Sequence, residues 1–330
     1  MEYRVENYNG DLREKWDKFV NCESANGTFL QTRQFLEYHG DRFMDHSLIV
    51  YKGNNTIAAV VPACVIFDGE DKIFSAHLGS TFGGIVLDRQ CNNIEDVEAV
   101  INCLEDYFAA EGYREIQLKY TSEIFARDNC NLLDYFMFQK GYSEYKELSC
   151  YIDFTQYKDD ITSNFSAARR RGYKNSLKSD LTFKKLSDDG EIELFYDVLC
   201  ENLKKFDTVP VHTLPELLDF KNNRLPEITE FFGAYHGEEM VAGSMVFNFH
   251  NTVFHTQYLA ARQDYLKMYP MNFLDMNMIC EAKNRGFRYF SFGTSTEEHG
   301  KVLNKHLAQF KEGFGTQFGI NKRYVKRVEI

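Results

Sequence analysis

The sequence predicts a mixed α/β chain in which one domain architecture is built twice. Three observations carry this reading. LIVYKGNNTIAAVV (48–61) and FGAYHGEEMVAGSMV (232–246) share one form: apolar strand residues on both sides of a polar, Gly-containing turn, which is a hairpin signal. AAEGYREIQLK (109–119) and AKNRGFRYFSF (282–292) each end a helical pattern on a glycine, then pass through an aromatic and an arginine into an alternating strand. The length, 330 residues, suits two domains of roughly 100–200 residues each. Gly112 and Gly286 lie 174 residues apart, and the turn glycines Gly53 and Gly237 lie 184 apart, a difference that loop variation absorbs. We therefore expect domains at 1–155 and 156–330, with the junction near 150–160.

In the first copy we expect a strand over 3–8, a helix over 10–22 and a short helix over 31–39 before the hairpin. Strands over 72–76 and 84–88 lead to a helix over 94–111, which Gly112 ends as a C′ glycine. A strand over 115–119, a helix over 131–140 and a strand over 145–154 close the copy. The second copy opens with a helix over 160–179, a strand over 181–186 and helices over 189–206 and 213–222. Hairpin strands over 228–235 and 239–249 and a strand over 252–260 follow. Pro270 suits the first position of the helix over 270–285, and Gly286 suits its end. A strand over 287–292, a helix over 301–312 and a strand near 322–328 complete the chain. The order describes mixed sheets, not an alternating Rossmann chain.

Composition narrows the functional classes. With 44% apolar residues the chain buries a sizeable core, which excludes wholesale disorder. The 29 Phe and 20 Tyr are a high aromatic load, enough to fill cores and line a cleft. The net charge of −11 argues against a general nucleic-acid binder, because phosphate affinity comes from Lys and Arg. No apolar run reaches the roughly 18–20 residues that span a bilayer. MEYRVENYNGDLREKW has neither the basic nor the apolar region of a signal peptide, and the 8 Cys are scattered without C-x-x-C. Both features point to reduced thiols and a cytoplasmic location. H-x-x-x-H, H-E-x-x-H and D-x-D patterns are missing, so no metal is expected.

The succession hairpin, strand, helix ending in Gly-aromatic-Arg, strand and helix resembles the GNAT acyltransferase domain. Two in tandem resemble the Fem family of peptidoglycan bridge aminoacyltransferases and their GNAT-type relatives. Three segments carry the likeness: SAHLGSTFGGIVLD (75–88), NFSAARRRGYKNSLKSD (164–180) and FGTSTEEHGKVLNKHLAQFKEGFG (292–315). The resemblance implies an acyl donor along the splayed central strands of one domain and an acceptor amine in a cleft between domains. It implies acyl-CoA as donor in GNAT enzymes and aminoacyl-tRNA in Fem enzymes.

GNAT domains hold the donor's pyrophosphate in a Q/R-x-x-G-x-G/A loop at a helix N-terminus, where free N–H groups and the dipole attract phosphate. The matching stretch of the first domain, 88–100, puts Glu95, Asp96 and Glu98 at the helix start, where they repel phosphate. In the second domain the match is 260–276, with Arg262 and Lys267 ahead of Pro270 and no acid in the first turn of the helix, the next being Asp275. Gly-x-Gly is absent there, since Leu266, Met268 and Tyr269 occupy those places. We take Gln257, Tyr258, Arg262, Lys267, Tyr269 and Asn272 as donor-binding candidates, with two solvated cations at a helix start as the plain alternative.

Arg170, Lys174 and Lys178 share one helix face, with Arg169 and Arg171 beside them, and suit an anion from the donor or from a nucleotide-linked or carboxylated acceptor. A solvated face is the alternative. Ser75, Gly83 and Thr294 are further substrate-binding candidates. Acyl transfer needs a base for the amine and a stabilised oxyanion. His77, beside a Gly-rich turn, and His212, between Pro210 and Pro215, are base candidates, each equally readable as structural. His255 reads as a core histidine, and Tyr258 also fits a core position. Lys311, the Lys of the late Phe-Lys pair, suits the oxyanion or a carboxylate, or simply caps its helix end.

The expected function is N-acyl transfer from acetyl-CoA or another acyl-CoA to a small-molecule amine by direct attack. The rivals are a Fem-like aminoacyl-tRNA-dependent transferase acting on a cell-wall precursor, and a non-catalytic ligand-binding pair. A tRNA partner is disfavoured by the acidic whole.

Overall fold

The computed structural model describes residues 2–205 and 207–328. The chain forms two compact units, one running to Glu147 with 298–301 and the stretch from Ile320, the other holding Leu148–Glu297 and 302–319.

The first unit contains β1 (Tyr3–Asn7), α1 (Arg13–Lys18), the hairpin β2 (Leu48–Lys52) and β3 (Thr56–Val61), then β4 (Ala63–Asp68), β5 (Asp71–Ala76), β6 (Val86–Leu87), α2 (Ile94–Ala110), β7 (Glu115–Lys119) and α3 (Asn131–Gln139). One sheet runs β1-β2-β3-β6. In the other, β5 pairs antiparallel with β4 and parallel with β7, and residues 323–327 pair antiparallel with β7. Strand β4 was not expected from the sequence. Pro62 separates it from β3, and a residue without an N–H breaks a ladder there. Helix α2 turns Val97, Val100, Ile101, Leu104 and Phe108 inward at helical spacing. Burial of each contributes about 1.5–3 kcal/mol. Asp96 in its first turn is bound by Lys52 at 2.7 Å and Tyr3 at 2.5 Å, and these partners hold its carboxyl down to about 2 against the opposing effect of burial.

The second unit takes the latter half of β8 (Ser143–Asp153), then α4 (Ala167–Ser176), β9 (Leu181–Leu186), α5 (Asp189–Lys204), α6 (Leu214–Asp219), β10 (Thr229–His236), β11 (Glu239–Phe249), β12 (Val253–Ala261), α7 (Pro270–Asn284), β13 (Tyr289–Thr294), α8 (Lys305–Glu312) and the start of β14 (Gln317–Arg327). Its strands lie in the order β9-β10-β11-β12-β13-β8. Here β11 is unbroken and takes the place of β3 plus β4. The core is aromatic: Phe254 stacks on Phe290 at 5.5 Å, and Phe292 on Phe314 at 5.4 Å. Both units therefore place a parallel strand pair behind a hairpin, joined by a long helix. Each helix ends on a positive-φ glycine, Gly112 at 70° and Gly286 at 79°.

Several elements depart from expectation, three of them helices with a local cause. The helix expected over 160–179 is shorter, because the Ser166 side chain accepts from Arg169 N–H and starts α4 there. The helix expected over 301–312 begins at Lys305, capped by Asn304, while Thr296–Glu297 pair with Val302–Leu303. The helix over 31–39 shrinks to Arg33–Leu36, capped by Thr32, followed by 3-10 turns with Gly40 at φ +53°. Phe206, the last residue of the helix expected over 189–206, lies outside the described residues.

Candidate active site

The parallel pair β12–β13 holds its register for only three residues: Val253 faces Tyr289, Phe254 faces Phe290 and His255 faces Ser291. Beyond them the strands part. The parting follows from local sequence. Gln257 is an extra residue in β12 against β11, where Met245 faces Tyr258 but Val246 faces Thr256. Phe292 is likewise extra in β13 against β8, since Ser291 faces Tyr151 but Gly293 faces Cys150. A bulge bends its strand and raises local twist, and bulges on both partners drive them apart. Among the described residues no other backbone segment is hydrogen-bonded between Gln257–Ala261 and Phe292–Thr294.

The first unit repeats the parting and fills it. Strands β5 and β7 pair over Ile73–Glu115, Phe74–Ile116 and Ser75–Gln117, then separate. The turn after β5 enters the gap: Gly83 N–H donates to Lys119 O at 2.9 Å, and a Cβ on Gly83 would stand 2.8 Å from His77 N. A Cβ on Gly84 would meet the Tyr120 ring at 2.3 Å. Only glycine lets the chain pass here.

The sequence-derived candidates divide along this line. Ser75, His77 and Gly83 lie in the filled parting of the first unit. The Ser75 hydroxyl donates to Ala76 O at 3.0 Å. His77 is 3% exposed, its ring 5.1 Å from His39 and 5.4 Å from Phe43, and burial lowers its pKa to about 4. These three pack the first unit.

The remaining candidates belong to the second unit. Gln257 is the β12 bulge residue and hydrogen-bonds His255. His212, buried, meets the Tyr258 hydroxyl through Nδ1 at 2.7 Å, and burial pushes the Tyr258 phenol up to about 12. Lys311, 4% exposed, donates from Nζ to Thr294 O at 2.5 Å and Gly293 O at 3.3 Å. Burial lowers its pKa to about 8. By the register of the two units Gly293 O corresponds to Lys119 O. A backbone N–H satisfies that carbonyl in the first unit, and an ammonium satisfies it in the second. Helix α7 starts with Tyr269 in the left-handed region, Pro270 in its first turn and no acid there.

Other candidates are engaged elsewhere. Arg262 is bound by Glu201 at 2.7 Å and donates to Met240 O, so it is not a free phosphate ligand. Asn272 is buried against α4, its Oδ1 accepting from Arg169 at 3.4 Å. Arg170 donates to Phe165 O, while Lys174 and Lys267 are exposed. The basic helix thus contributes Arg169 rather than a cation stripe. Its guanidinium lies 4.6 Å from the Phe310 ring centroid.

Two further residues stand out: His255, which the sequence marked as a core histidine, and Asp275, which it did not single out. His255 sits at the last paired position, its Nδ1 3.0 Å from Ser291 Oγ, with its pKa lowered to about 4 by burial. Asp275, fully buried on α7, has no partner for either carboxylate oxygen among the described residues. A lone acid inside the apolar run MNFLDMNMI was its one sequence signal.

Residues 164–301 match the model of the acetyltransferase (GNAT) domain. The structure is similar to that of FemX, with a TM-score of 0.69 at 13% identity over 99% of this chain and 98% of that one. It is similar to the C-terminal domain of a putative lysylphosphatidylglycerol synthetase from Agrobacterium fabrum, with 0.61 at 15% identity over 97% and 93%. It also resembles a tandem GNAT protein from the clavulanic acid biosynthesis pathway, with 0.56 at 8% identity over 100% and 99%. No curated protein matches the chain. At these identities the likeness is one of fold. Residues 164–301 match the GNAT domain model, and the chain has the fold of Fem-like and tandem GNAT proteins.

Proposed function

We propose that the second unit binds an acyl donor in the parting between β12 and β13 and passes the acyl group to an amine by direct attack. One observation carries this reading: among the described residues no other backbone is hydrogen-bonded into the parting of the second unit, whereas the Gly83–Gly84 turn fills that of the first. Beyond His255–Ser291 the two strands are not paired to each other, and an extended donor arm would lie along Gln257–Ala261.

In this scheme the amine nitrogen attacks the acyl carbonyl, the C–N bond forms, and the bond to the leaving thiolate or alkoxide breaks. The Lys311 ammonium, already charged at neutral pH, stabilises the oxyanion. The His212 imidazole takes the amine's proton, and its hydrogen bond to Tyr258 holds the ring. Thr294, Tyr258 and Gln257 line the donor arm. Lys267 and Tyr269, both exposed beside the α7 start, face the donor's anionic end.

Acyl-CoA is the donor we favour, and a cytoplasmic location goes with it. Aminoacyl-tRNA is the second reading. It is favoured by the commitment of Arg262 to Glu201, which leaves the α7 tip without a dedicated arginine for a pyrophosphate. FemX-like architecture fits that donor, as does the lysylphosphatidylglycerol synthetase neighbour, which widens the acceptors from a cell-wall amine to a lipid head-group hydroxyl. A melting-temperature rise with acetyl-CoA supports the first reading. No shift at millimolar acetyl-CoA, with salt-sensitive retention of aminoacyl-tRNA, transfers the account to the second. Failure of both donors to bind overturns it.

A further inference from the structure

Where β12 and β13 part, backbone pairing gives way to side chains gathered on Ser291. Its hydroxyl lies 3.0 Å from His255 Nδ1 and accepts the Gly293 N–H at 3.2 Å, and its carbonyl accepts from the Thr256 hydroxyl at 3.2 Å. Ser291 is 1% exposed, so these bonds form away from water, where they hold an imidazole firmly in one orientation. The corresponding positions of the first unit are Ser75 and Gln117. There the Ser75 hydroxyl donates to Ala76 O and the Gln117 amide to Glu115, and neither pins a ring at the end of the pairing.

Register fixes the side of the sheet to which the ring points. Phe247 faces His255 and Met245 faces Tyr258, and residues two apart on a strand share a face. His255 and Tyr258 therefore point to one side of β12, the side on which His212 meets the Tyr258 hydroxyl. Phe254 points to the other, onto Phe290. A Cβ on Gly293 would stand 3.3 Å from His255 Cε1, so the imidazole edge lies against the bare backbone of β13 just past the last pair. On the side away from the parting, the Phe249 ring centroid is 5.8 Å from that of His255. The carbonyl of Gly293 is the one that Lys311 holds.

We propose that His255 sets the size of the transferred group: pinned by Ser291 where the parting closes, its ring stops the acyl chain and admits only a short one. The inference rests on the donor site and on the place of Lys311 in the proposed function. An acyl carbonyl brought to Lys311 lies beside Gly293, and its substituent then runs into the imidazole. With the ring removed, the space gained is walled by Phe249, which suits an alkyl chain.

The test is titration calorimetry of the full chain with acetyl-, butyryl- and hexanoyl-CoA, which differ only in the acyl group. Wild type is expected to bind acetyl-CoA about tenfold or more tightly than hexanoyl-CoA, and H255A to invert that order. A histidine needed only for packing lowers the urea midpoint and leaves the order of the three thioesters in place, so an unchanged order in folded H255A overturns the proposal. S291A keeps the ring but frees it, and serves should H255A fail to fold. It is expected to narrow the acetyl preference, and an unchanged preference overturns the proposal. Binding of all three in the wild-type order by the variants leaves the donor site standing and removes this inference alone. Binding of none by wild type removes both.

Discussion

Lys311 owes its chemistry to where α8 ends. A lysine in the last turn of an exposed helix meets water and the dipole, but this one is 4% exposed and caps two strand carbonyls. Burial brings its titration down to about 8. The charged form is therefore present at neutral pH and is lost as pH rises through that value. Acyl transfer is expected to fall along the same limb, measured as kcat/KM against pH. K311M is expected to lower kcat/KM by roughly 10²–10³, the loss that accompanies removal of one oxyanion donor. H212N is expected to cost roughly 10²–10⁴, as removal of a general base does, with donor affinity retained in a binding titration. At this scale the sequence was legible where chemistry is local and opaque where it is not. Lys311 and Thr294 stand in one short segment whose pattern marks them. Arg262 looked free for a phosphate because Glu201, which binds it, lies 61 residues away. Arg169 acquires meaning only once α4, α7 and α8 pack together.

The elements follow the same division. Helices α2 and α7 announce themselves by their terminating glycines, and the hairpins by their turns. Strand β4 was hidden by Pro62, and the start of α8 by the 296–303 hairpin, because each depends on partners distant in the chain or on a cap. The crossing of α4 and α7 is closest at Gly172, where a Cβ would lie 2.6 Å from Asn272 Nδ2. G172A is expected to lower stability by about 1–3 kcal/mol in urea unfolding and to displace Arg169 from Asn272. In the first unit, G83A forces a Cβ against the His77 backbone and is expected to cost a similar amount. Because the donor is assigned to the second unit, G83A protein that remains folded is expected to bind donor with unchanged affinity. A tenfold loss of affinity there would place the donor in the first unit.

Across the whole molecule, one architecture serves twice with different outcomes. Both units part a parallel strand pair after three residues, at Ser75–Gln117 and at His255–Ser291. The duplication was readable from repeated turns and glycines. The difference was only half readable: acids at the start of α2 argued against a donor in the first unit, but the plug of Gly83 and Gly84 is a tertiary fact. The net charge of −11 keeps the surface unfavourable to polyanions in general, so donor binding has to come from a built site. The most direct measurement of that central claim is photocrosslinking of a light-activated acyl-CoA to the intact protein, with adducts mapped by mass spectrometry. Adducts confined to 255–262 and 292–295, at one donor per chain, are the predicted result, and adducts at 73–87 or 115–120 of the first unit would contradict it.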